Sequence, residues 1–387
     1  MGKRKHIALI FSYNENWIGG TYYILNLVCA LNTLPDEQKP EITVFASKKK
    51  EFDFFSKETK YPYLHFFSKY NEIHFSFDYK FTKMFIFLLS KILTYFKRRK
   101  NHRLLNEFDM IFPNPDKFFF KLINKEKKVY WIPDFQEDHL QEYFSIQEIV
   151  QRKQWQIEMA LLADKLVLSS KDAQNDFNRL YPFAICKQYV LPFAVTHPDY
   201  EKLNIEEIKQ KYNIQRKYFY TPNQFWAHKN HKIVIEAVEL LKKETNNILV
   251  IFSGKENDYR AIIPVVDELK KTVKEKDLEE KILFLGFIDR KEQLCIMKNA
   301  MAIIQPSFFE GWSTVVEDAK AMNQFVIASD LKVHKEQLNQ NVLFFNPRDK
   351  YSLADSMSKI MNENFERYDN NYMESVELFA KNFINII

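Results

Sequence analysis

Cysteine and glycine are scarce in this chain of 387 residues, which has 3 of the first and 6 of the second. Cys29, Cys186 and Cys295 lie far apart in apolar or helical contexts, without the short spacings of metal ligands. The pattern excludes a disulfide framework and a cysteine metal centre, and it predicts a reducing, cytoplasmic location. Because glycine is rare, the pair Gly19–Gly20 indicates either a close approach of the backbone to a phosphate or an ordinary turn.

Long apolar runs are also missing. The first residues, MGKRKHIALIF, lead directly into a strand pattern, and their apolar run is too short for a signal peptide. The segment 81–100, FTKMFIFLLSKILTYFKRRK, is interrupted by Lys91 and falls short of the roughly 20 apolar residues that span a bilayer. Two interpretations of it stay open: a helix that contacts an anionic membrane peripherally, or an ordinary helix of the first domain with a basic end.

The chain has little excess charge. Its formal net charge is +5, and it lacks the dense basic stripe that nucleic-acid-binding proteins show. Aromatic residues, in contrast, are abundant, with 36 Phe and 20 Tyr. A carbohydrate-binding protein would explain this abundance, and so would the codon bias of an AT-rich genome.

Strand patterns alternate with helical patterns along the chain, which predicts parallel sheets with right-handed crossovers. The first half has expected strands within 6–14, 41–47, 108–114, 128–134, 165–170 and 189–195. After an aperiodic linker at 193–200 the rhythm restarts, with strands expected within 217–225, 247–254, 281–288, 301–307, 325–330 and 342–346. We therefore predict two doubly wound, Rossmann-like α/β domains, 1–195 and 196–387, with a C-terminal helix that packs back on the first domain.

The segment from Pro306 to Asp330 is the most informative one, and it is predicted to form a strand end, a loop, a helix and a second strand. Glu310 lies in the loop, and the helix is expected to begin with Thr314 as its cap and Glu317 completing a capping box. A carboxylate at a strand's carboxyl end accepts hydrogen bonds from hydroxyls, and a helix N-terminus attracts phosphate. Together they predict a site for a sugar attached to a phosphate.

Two neighbouring acids of the predicted helix cannot share a role, because consecutive helical residues point about 100° apart. Glu317 falls on a polar face together with Lys320 and Gln324. Asp318 lies nearer the buried side, where a pair of ribose hydroxyls would explain a carboxylate.

The segment 221–231, TPNQFWAHKNH, also follows a predicted strand, and open α/β sheets bind ligands at the carboxyl ends of their strands. Lys229 is placed there to neutralise a diphosphate. Asn230 is predicted to cap the next helix. His228 and His231 are expected to be surface or loop residues.

A loop of the first half, WIPDFQEDH at 131–139, is expected at the same cleft. Asp134 or His139 would face an acceptor hydroxyl there. Ordinary polar loop residues are an equally good interpretation.

At these residues the chain resembles the glycosyltransferases of family 4, also called glycosyl transferases group 1, in a branch found in bacterial surface-polysaccharide assembly. The family pattern of a Glu, seven residues and a second acid aligns with EGWSTVVEDAKAMN, with Glu310 first and Asp318 second. The family's Gly-Gly loop corresponds to Gly19–Gly20 and its clamping Lys to Lys229. Gln224 stands where the family usually has an Arg.

The resemblance implies the GT-B fold and a retaining transfer of a hexose-type sugar from a UDP- or GDP-sugar to a glycan or lipid-linked acceptor. It implies neither a cofactor nor a metal, and the chain has no Asp-x-Asp motif of the metal-dependent transferases. Catalytic roles fall on Glu310, Lys229 and Asp134, and base contacts fall near Gly286–Asp289. The expected donor-binding residues are Gly19, Gly20, Gln224, Lys229, Gly286, Ile288, Glu310, Gly311, Trp312, Ser313, Thr314, Val315 and Asp318.

Two other functions remain open for such a fold. One is a non-catalytic subunit that binds a nucleotide sugar or glycan, which the Gln224 substitution and the shorter acid Asp318 favour. The other is sugar-nucleotide epimerisation, which would form a new sugar nucleotide without any acceptor.

Overall fold

The computed structural model describes residues 4–14, 18–68, 107–115, 124–242, 245, 247–256 and 264–387. The segment 81–100, with its two interpretations, lies outside these ranges. Among the residues that the structure describes, no helix is both long and apolar enough to cross a membrane.

The first half of the chain forms two parallel sheets. The strand order is β3-β2-β1-β4 in one and β5-β6-β7 in the other, and a parallel bridge from Ile111 to Lys128 connects β4 with the start of β5. The described strands are β1 His6–Ile10, β2 Glu41–Ala46, β3 Leu64–Ser68, β4 Met110–Phe112, β5 Val129–Ile132, β6 Lys165–Leu168 and β7 Lys187–Val190. The described α-helices are α1 Ile18–Asn32, α2 Lys49–Thr59, α3 Gln136–His139, α4 Ile146–Leu162 and α5 Lys171–Leu180.

The second half forms one parallel sheet of six strands in the order β10-β9-β8-β11-β12-β13. Its strands are β8 Phe219–Thr221, β9 Val250–Phe252, β10 Ile282–Phe284, β11 Ile303–Gln305, β12 Val326–Ser329 and β13 Val342–Phe345. Its described α-helices are α6 Ile205–Lys211, α7 His231–Leu241, α8 Val265–Glu275, α9 Arg290–Lys298, α10 Thr314–Ala321, α11 Lys332–Gln337, α12 Lys350–Asn362 and α13 Tyr372–Ile384.

Every strand expected from the sequence is observed, because parallel strands are covered on both faces and therefore read as continuous apolar runs. Strand β3 was not predicted. It lies at the edge of its sheet, and none of its residues is fully buried, so its sequence LHFFS lacks that run.

The strand orders position the functional loops. In both halves the order reverses beside the first strand, between β1 and β4 and between β8 and β11. Ligands of open α/β sheets bind outside the carboxyl ends of the strands at such a switch point. The loop after β8 carries Lys229, and the loop after β11 carries Glu310.

The C-terminal helix packs on the first half, as predicted. Val376, Phe379, Ala380 and Phe383 of α13 are buried in the same apolar core as residues of β1, β2 and α1. Tyr372, the first residue of α13, accepts a hydrogen bond from the backbone N–H of Val195 at 2.9 Å. The tail therefore ties the second half to the first, while the boundary at 195/196 stays a prediction.

His228 and His231 were expected to be surface or loop residues, but only 4% and 2% of their surfaces are exposed. His228 does lie in the loop after β8, whereas His231 is the first residue of α7. The His231 ring stacks on Phe225 at a centroid distance of 4.7 Å and meets the Phe252 ring edge-on at 5.3 Å. Burial in this aromatic surrounding lowers the pKa of His231 to about 3.

We expect this buried ring to make the protein sensitive to acid. In the unfolded chain His231 takes up a proton as the pH falls below its ordinary pKa of about 6.5. In the folded protein it takes up a proton only near pH 3. The unfolded state therefore binds more protons between these pH values, and stability is lost as the pH falls. From this group alone the free energy of unfolding should drop by about 2 kcal/mol between pH 7 and pH 5. Denaturant unfolding at pH 7 and pH 5 gives the change in the free energy of unfolding for native protein and for His231→Phe. The difference between these two changes is the contribution of His231. Equal changes in the two proteins would show that His231 is not buried in its neutral form.

Candidate active site

A cleft of about 1000 Å³ lies between the two halves and is lined by both. Most of the predicted donor and catalytic residues line it, namely Gly19, Asp134, Gln224, Lys229, Ile288, Glu310, Gly311, Trp312, Ser313, Thr314, Val315 and Asp318. Gly20 is buried in the first turn of α1, and Gly286 has a left-handed φ of 65° and accepts a hydrogen bond from Gly254 N–H. These two glycines shape the neighbouring backbone rather than the wall of the cleft.

The Glu310 side chain is held by one of its two oxygens. Its Oε1 accepts hydrogen bonds from Lys229 Nζ at 2.7 Å, from Gln305 Nε2 at 2.7 Å and from Ser307 Oγ at 2.6 Å. Oε2 has no hydrogen-bond partner within the described part of the chain. The carboxylate is thus fixed in orientation while one oxygen remains available to a ligand in the cleft.

Glu310 is ionised despite its burial. Burial alone would raise the pKa of its carboxyl group, but the charge and hydrogen bond of Lys229 outweigh this and hold the pKa below its ordinary value. The two residues lie 81 positions apart in the chain and form an ion pair of which 16% and 8% of the side chains are exposed. Gln305 and Ser307, which complete this arrangement, were not singled out in the sequence.

The loop of Glu310 touches the loop of Asp134. A Cβ atom built on Gly311 would lie 2.6 Å from Asp134 Cβ and 2.8 Å from the Pro133 carbonyl oxygen, so only glycine fits there. Asp134 accepts a hydrogen bond from Gln136 N–H at 3.1 Å, and burial raises its pKa. The structure therefore brings the two predicted catalytic acids to one place, from opposite sides of the cleft.

Helix α10 presents two free N–H groups to the cleft. Its N-cap is Ser313, whose Oγ accepts from Val316 N–H, and not Thr314 as predicted. The Ser313 N–H is bonded to Gln337 Oε1, whereas those of Thr314 and Val315 have no partner within the described residues. Two unsatisfied donors at the positive end of a helix form an attractive site for phosphate.

The predicted capping box at Glu317 is wrong as well. Its carboxylate is 1% exposed and bonds to Tyr372 OH at 2.6 Å, to Gln337 Nε2 at 3.0 Å and to Lys320 Nζ at 3.0 Å. Glu317 therefore lies on a buried face that connects α10 to the C-terminal helix.

Asp318 is held in the same way as Glu310. Its Oδ1 contacts Arg290 NH2 at 2.6 Å and His197 Nε2 at 3.0 Å, and Oδ2 has no partner among the described residues. Burial opposes ionisation, but Arg290 and His197 keep the pKa of Asp318 below its ordinary value. Nothing in the sequence pointed to Arg290 or His197, because neither forms part of a local pattern with Asp318.

Two other predicted residues have different partners from those expected. His139 pairs with Asp176 at 2.5 Å, and its ring lies 5.1 Å from that of Phe309. Asn230 does stand at the N-cap position of α7, in a left-handed conformation, but its side chain donates to the carbonyl oxygens of Pro306 and Pro347. Asn230 thereby links the loop of Lys229 to the loop of Glu310.

The arrangement suits a ligand that is both anionic and rich in hydroxyl groups. Lys229 and the start of α10 supply positive charge, while Glu310 and Asp318 each leave one oxygen that is able to accept a hydrogen bond from a hydroxyl group. A nucleoside diphosphate linked to a sugar has this distribution of groups, with a ribose on one side of the phosphates and a sugar on the other.

Comparison with known proteins agrees with this chemistry. Residues 204–375 match the family described as glycosyl transferases group 1. The O-antigen chain mannosyltransferase of Salmonella typhimurium is 28% identical to this chain over 177 residues, which cover 46% of this chain and 47% of that protein. The aligned region thus spans about half the length of that relative.

Solved structures resemble the whole chain. A glycosyltransferase from Rickettsia africae has a TM-score of 0.63 at 14% identity, covering 99% of this chain and 94% of its own. The Anabaena protein HepE, solved with UDP and glucose, has a TM-score of 0.61 at 15% identity, covering 99% and 95%. At such identities the likeness concerns the fold, and it confirms the predicted GT-B architecture.

Proposed function

We propose that this chain, whose residues 204–375 match the family described as glycosyl transferases group 1, transfers a sugar from a UDP- or GDP-sugar to a glycan or lipid-linked acceptor. The observation that carries this proposal is the Glu310 carboxylate, anchored by Lys229 through one oxygen and open through the other, beside the free N–H groups of α10. The similar Salmonella protein, an O-antigen chain mannosyltransferase, supports a hexose-type sugar and a surface polysaccharide as product. HepE, solved with UDP and glucose, supports a nucleotide-sugar donor.

The proposed reaction retains the configuration of the anomeric carbon. The bond from that carbon to the diphosphate breaks, and the acceptor oxygen bonds to the same face, while the acceptor's proton passes to an oxygen of the departing phosphate. The transition state carries positive charge on the sugar and negative charge on the diphosphate. Glu310 stabilises the first, and Lys229 with the Thr314 and Val315 N–H groups stabilises the second.

The acceptor would bind on the side of the first half. Trp155 and Gln156 of α4 and Gln136 of α3 line the cleft there, together with Asp134. The aromatic ring of Trp155 and the side-chain amide of Gln136 suit a sugar ring and its hydroxyl groups, whereas the Gln156 amide is already bonded to Glu137 and Tyr181. Burial raises the pKa of Asp134, and its carboxyl group is held on this side of the cleft by the hydrogen bond that it accepts from Gln136 N–H.

Sugar transfer can be tested with the purified protein and a panel of UDP-, GDP-, ADP- and CMP-sugars, by ligand-observed NMR and by release of the nucleotide. We expect selective binding of one donor and slow hydrolysis or transfer, unchanged by EDTA because Lys229 and backbone donors replace a metal. No binding to any donor would refute the proposal. Binding without turnover would favour the non-catalytic subunit, and a new sugar nucleotide would favour the epimerase.

We further propose that the protein acts in the cytoplasm on a membrane-bound acceptor, which it reaches through segment 81–100. All three cysteines are free thiols, in keeping with a reducing compartment. Reversing the charge of Lys97, Arg98 and Arg99 to Glu should weaken co-sedimentation with vesicles that contain phosphatidylglycerol by tenfold or more, at about 1 kcal/mol per basic residue.

A matched variant controls for net charge in that experiment. Lys270, Lys271 and Lys274 lie on α8 of the second half, and their replacement by Glu changes the net charge by the same amount. This control should leave co-sedimentation unchanged. Equal co-sedimentation of native protein and the segment 81–100 variant would refute the membrane contact.

A further inference from the structure

Gln337, the last residue of α11, lies outside the wall of the cleft but is bonded to the first turn of α10. It is 4% exposed, and its amide group makes three hydrogen bonds. Oε1 accepts from Ser313 N–H at 3.0 Å, and Nε2 donates to Ser313 O at 3.1 Å and to Glu317 Oε1 at 3.0 Å. The amide thus pairs with both backbone groups of one residue, the N-cap of α10.

This pairing determines where the next N–H group points. The Ser313 carbonyl and the Thr314 N–H belong to the same planar trans peptide unit, in which they point in opposite directions. Gln337 Nε2 and Glu317 N–H both hold the Ser313 oxygen on the helix side. The Thr314 N–H is therefore directed away from the helix, toward the cleft that Thr314 lines.

The helix of Gln337 is itself fixed from the other half of the molecule. Glu336, its neighbour, accepts hydrogen bonds from the N–H groups of Lys171 and Asp172 at the start of α5. Helix α11 consequently contacts α5 on one side and α10 on the other, and it cannot turn without breaking one of these contacts.

We propose that Gln337 is a positioning residue for the diphosphate, which it serves by fixing the direction of the Thr314 N–H through Ser313. The inference rests on the proposed function, because it assumes that the diphosphate lies at the start of α10. It predicts that loss of the Gln337 amide weakens binding of the phosphates and spares binding of the nucleoside.

The test compares UDP with uridine and GDP with guanosine by isothermal titration calorimetry on native protein and Gln337→Met. Methionine has nearly the same volume but makes none of the three hydrogen bonds. We expect the nucleoside diphosphate of the preferred base to bind about tenfold more weakly, the order for loss of one hydrogen bond to a charged group, with the nucleoside unchanged. The ratio of the two dissociation constants does not depend on the folded fraction of the sample.

Gln324→Met is the matched control. Gln324 is 1% exposed and makes a similar set of backbone hydrogen bonds, to the carbonyl oxygens of Met297, Lys298 and Ala300 and from Phe325 N–H. The Gln324→Met variant should be less stable than native protein, but the ratio of its dissociation constants for nucleoside diphosphate and nucleoside should be unchanged. If Gln337→Met does not fold, Gln337→Asn replaces it, since the shorter amide cannot reach both groups of Ser313.

Two results would overturn the inference. The first is unchanged binding of the diphosphate by Gln337→Met, and the second is an equal loss for diphosphate and nucleoside, which would indicate general damage. If native protein binds neither UDP nor GDP, the proposed donor site is refuted, and so is this inference, which depends on it.

Discussion

Glu310→Gln should lower kcat for sugar transfer by about 10²–10³-fold, the range found when one group that stabilises a transition-state charge is removed. The amide keeps an oxygen where Oε1 accepts from Lys229, Gln305 and Ser307, so the loop retains its anchor. It loses the negative charge and replaces the open Oε2, a hydrogen-bond acceptor, by an amide NH2 group, a donor. The effect therefore falls on the positively charged sugar of the transition state, and kcat measured at saturating donor reports it.

Glu239→Gln is the matched control for this change. Glu239 pairs with Lys276 at 2.6 Å, almost the same distance as in the Lys229 pair, but it lies on α7 outside the lining of the cleft. Its kcat should equal that of native protein. A Glu310→Gln enzyme with kcat within about threefold of native would mean that another group faces the sugar.

Lys229→Met should lower kcat/KM for the donor by about 100-fold, because the departing diphosphate loses its cation. The change should also alter the pH dependence. Lys229 holds the pKa of the buried Glu310 below its ordinary value, so activity in native protein persists above that pKa and is lost as the pH falls through it. Without Lys229, less opposes the effect of burial on Glu310, and the pKa of its carboxyl group rises. The acidic limb of the pH profile of kcat therefore moves toward neutral pH.

Lys276→Met controls for the loss of a paired lysine, and we expect its profile to match that of native protein. If the acidic limb of Lys229→Met stays where it is in native protein, the ion pair does not govern the ionisation of Glu310. The size of the loss in kcat/KM and the position of the limb are separate readouts, so one can fail without the other.

Much of the fold could be predicted from the sequence. The core strands are continuous apolar runs, since both faces of a parallel sheet are covered, and the polar residues that follow them mark the carboxyl ends where ligands bind. For this reason Lys229 and Glu310 could be expected in one site although 81 positions separate them. Strand β3 was not predicted, because an edge strand buries too few residues to form a continuous apolar run.

The local signals around α10 were less reliable. The sequence offered Thr314 and Glu317 as a capping box, but Ser313 caps the helix, and Glu317 turns inward to Tyr372 and Gln337. A capping pattern is a local preference of about 1 kcal/mol, which burial against a helix 55 positions away outweighs.

The class of fold, the cleft and its two anchored carboxylates could be predicted from the chain, because they follow from periodicity and from the residues that come after the strands. The way in which each carboxylate is held depends on packing and could not be predicted. Arg290 and His197 meet at Asp318 from distant segments, and His231 is enclosed by Phe225 and Phe252. Contacts between distant segments depend on how the elements pack, and no local pattern in the chain encodes that packing.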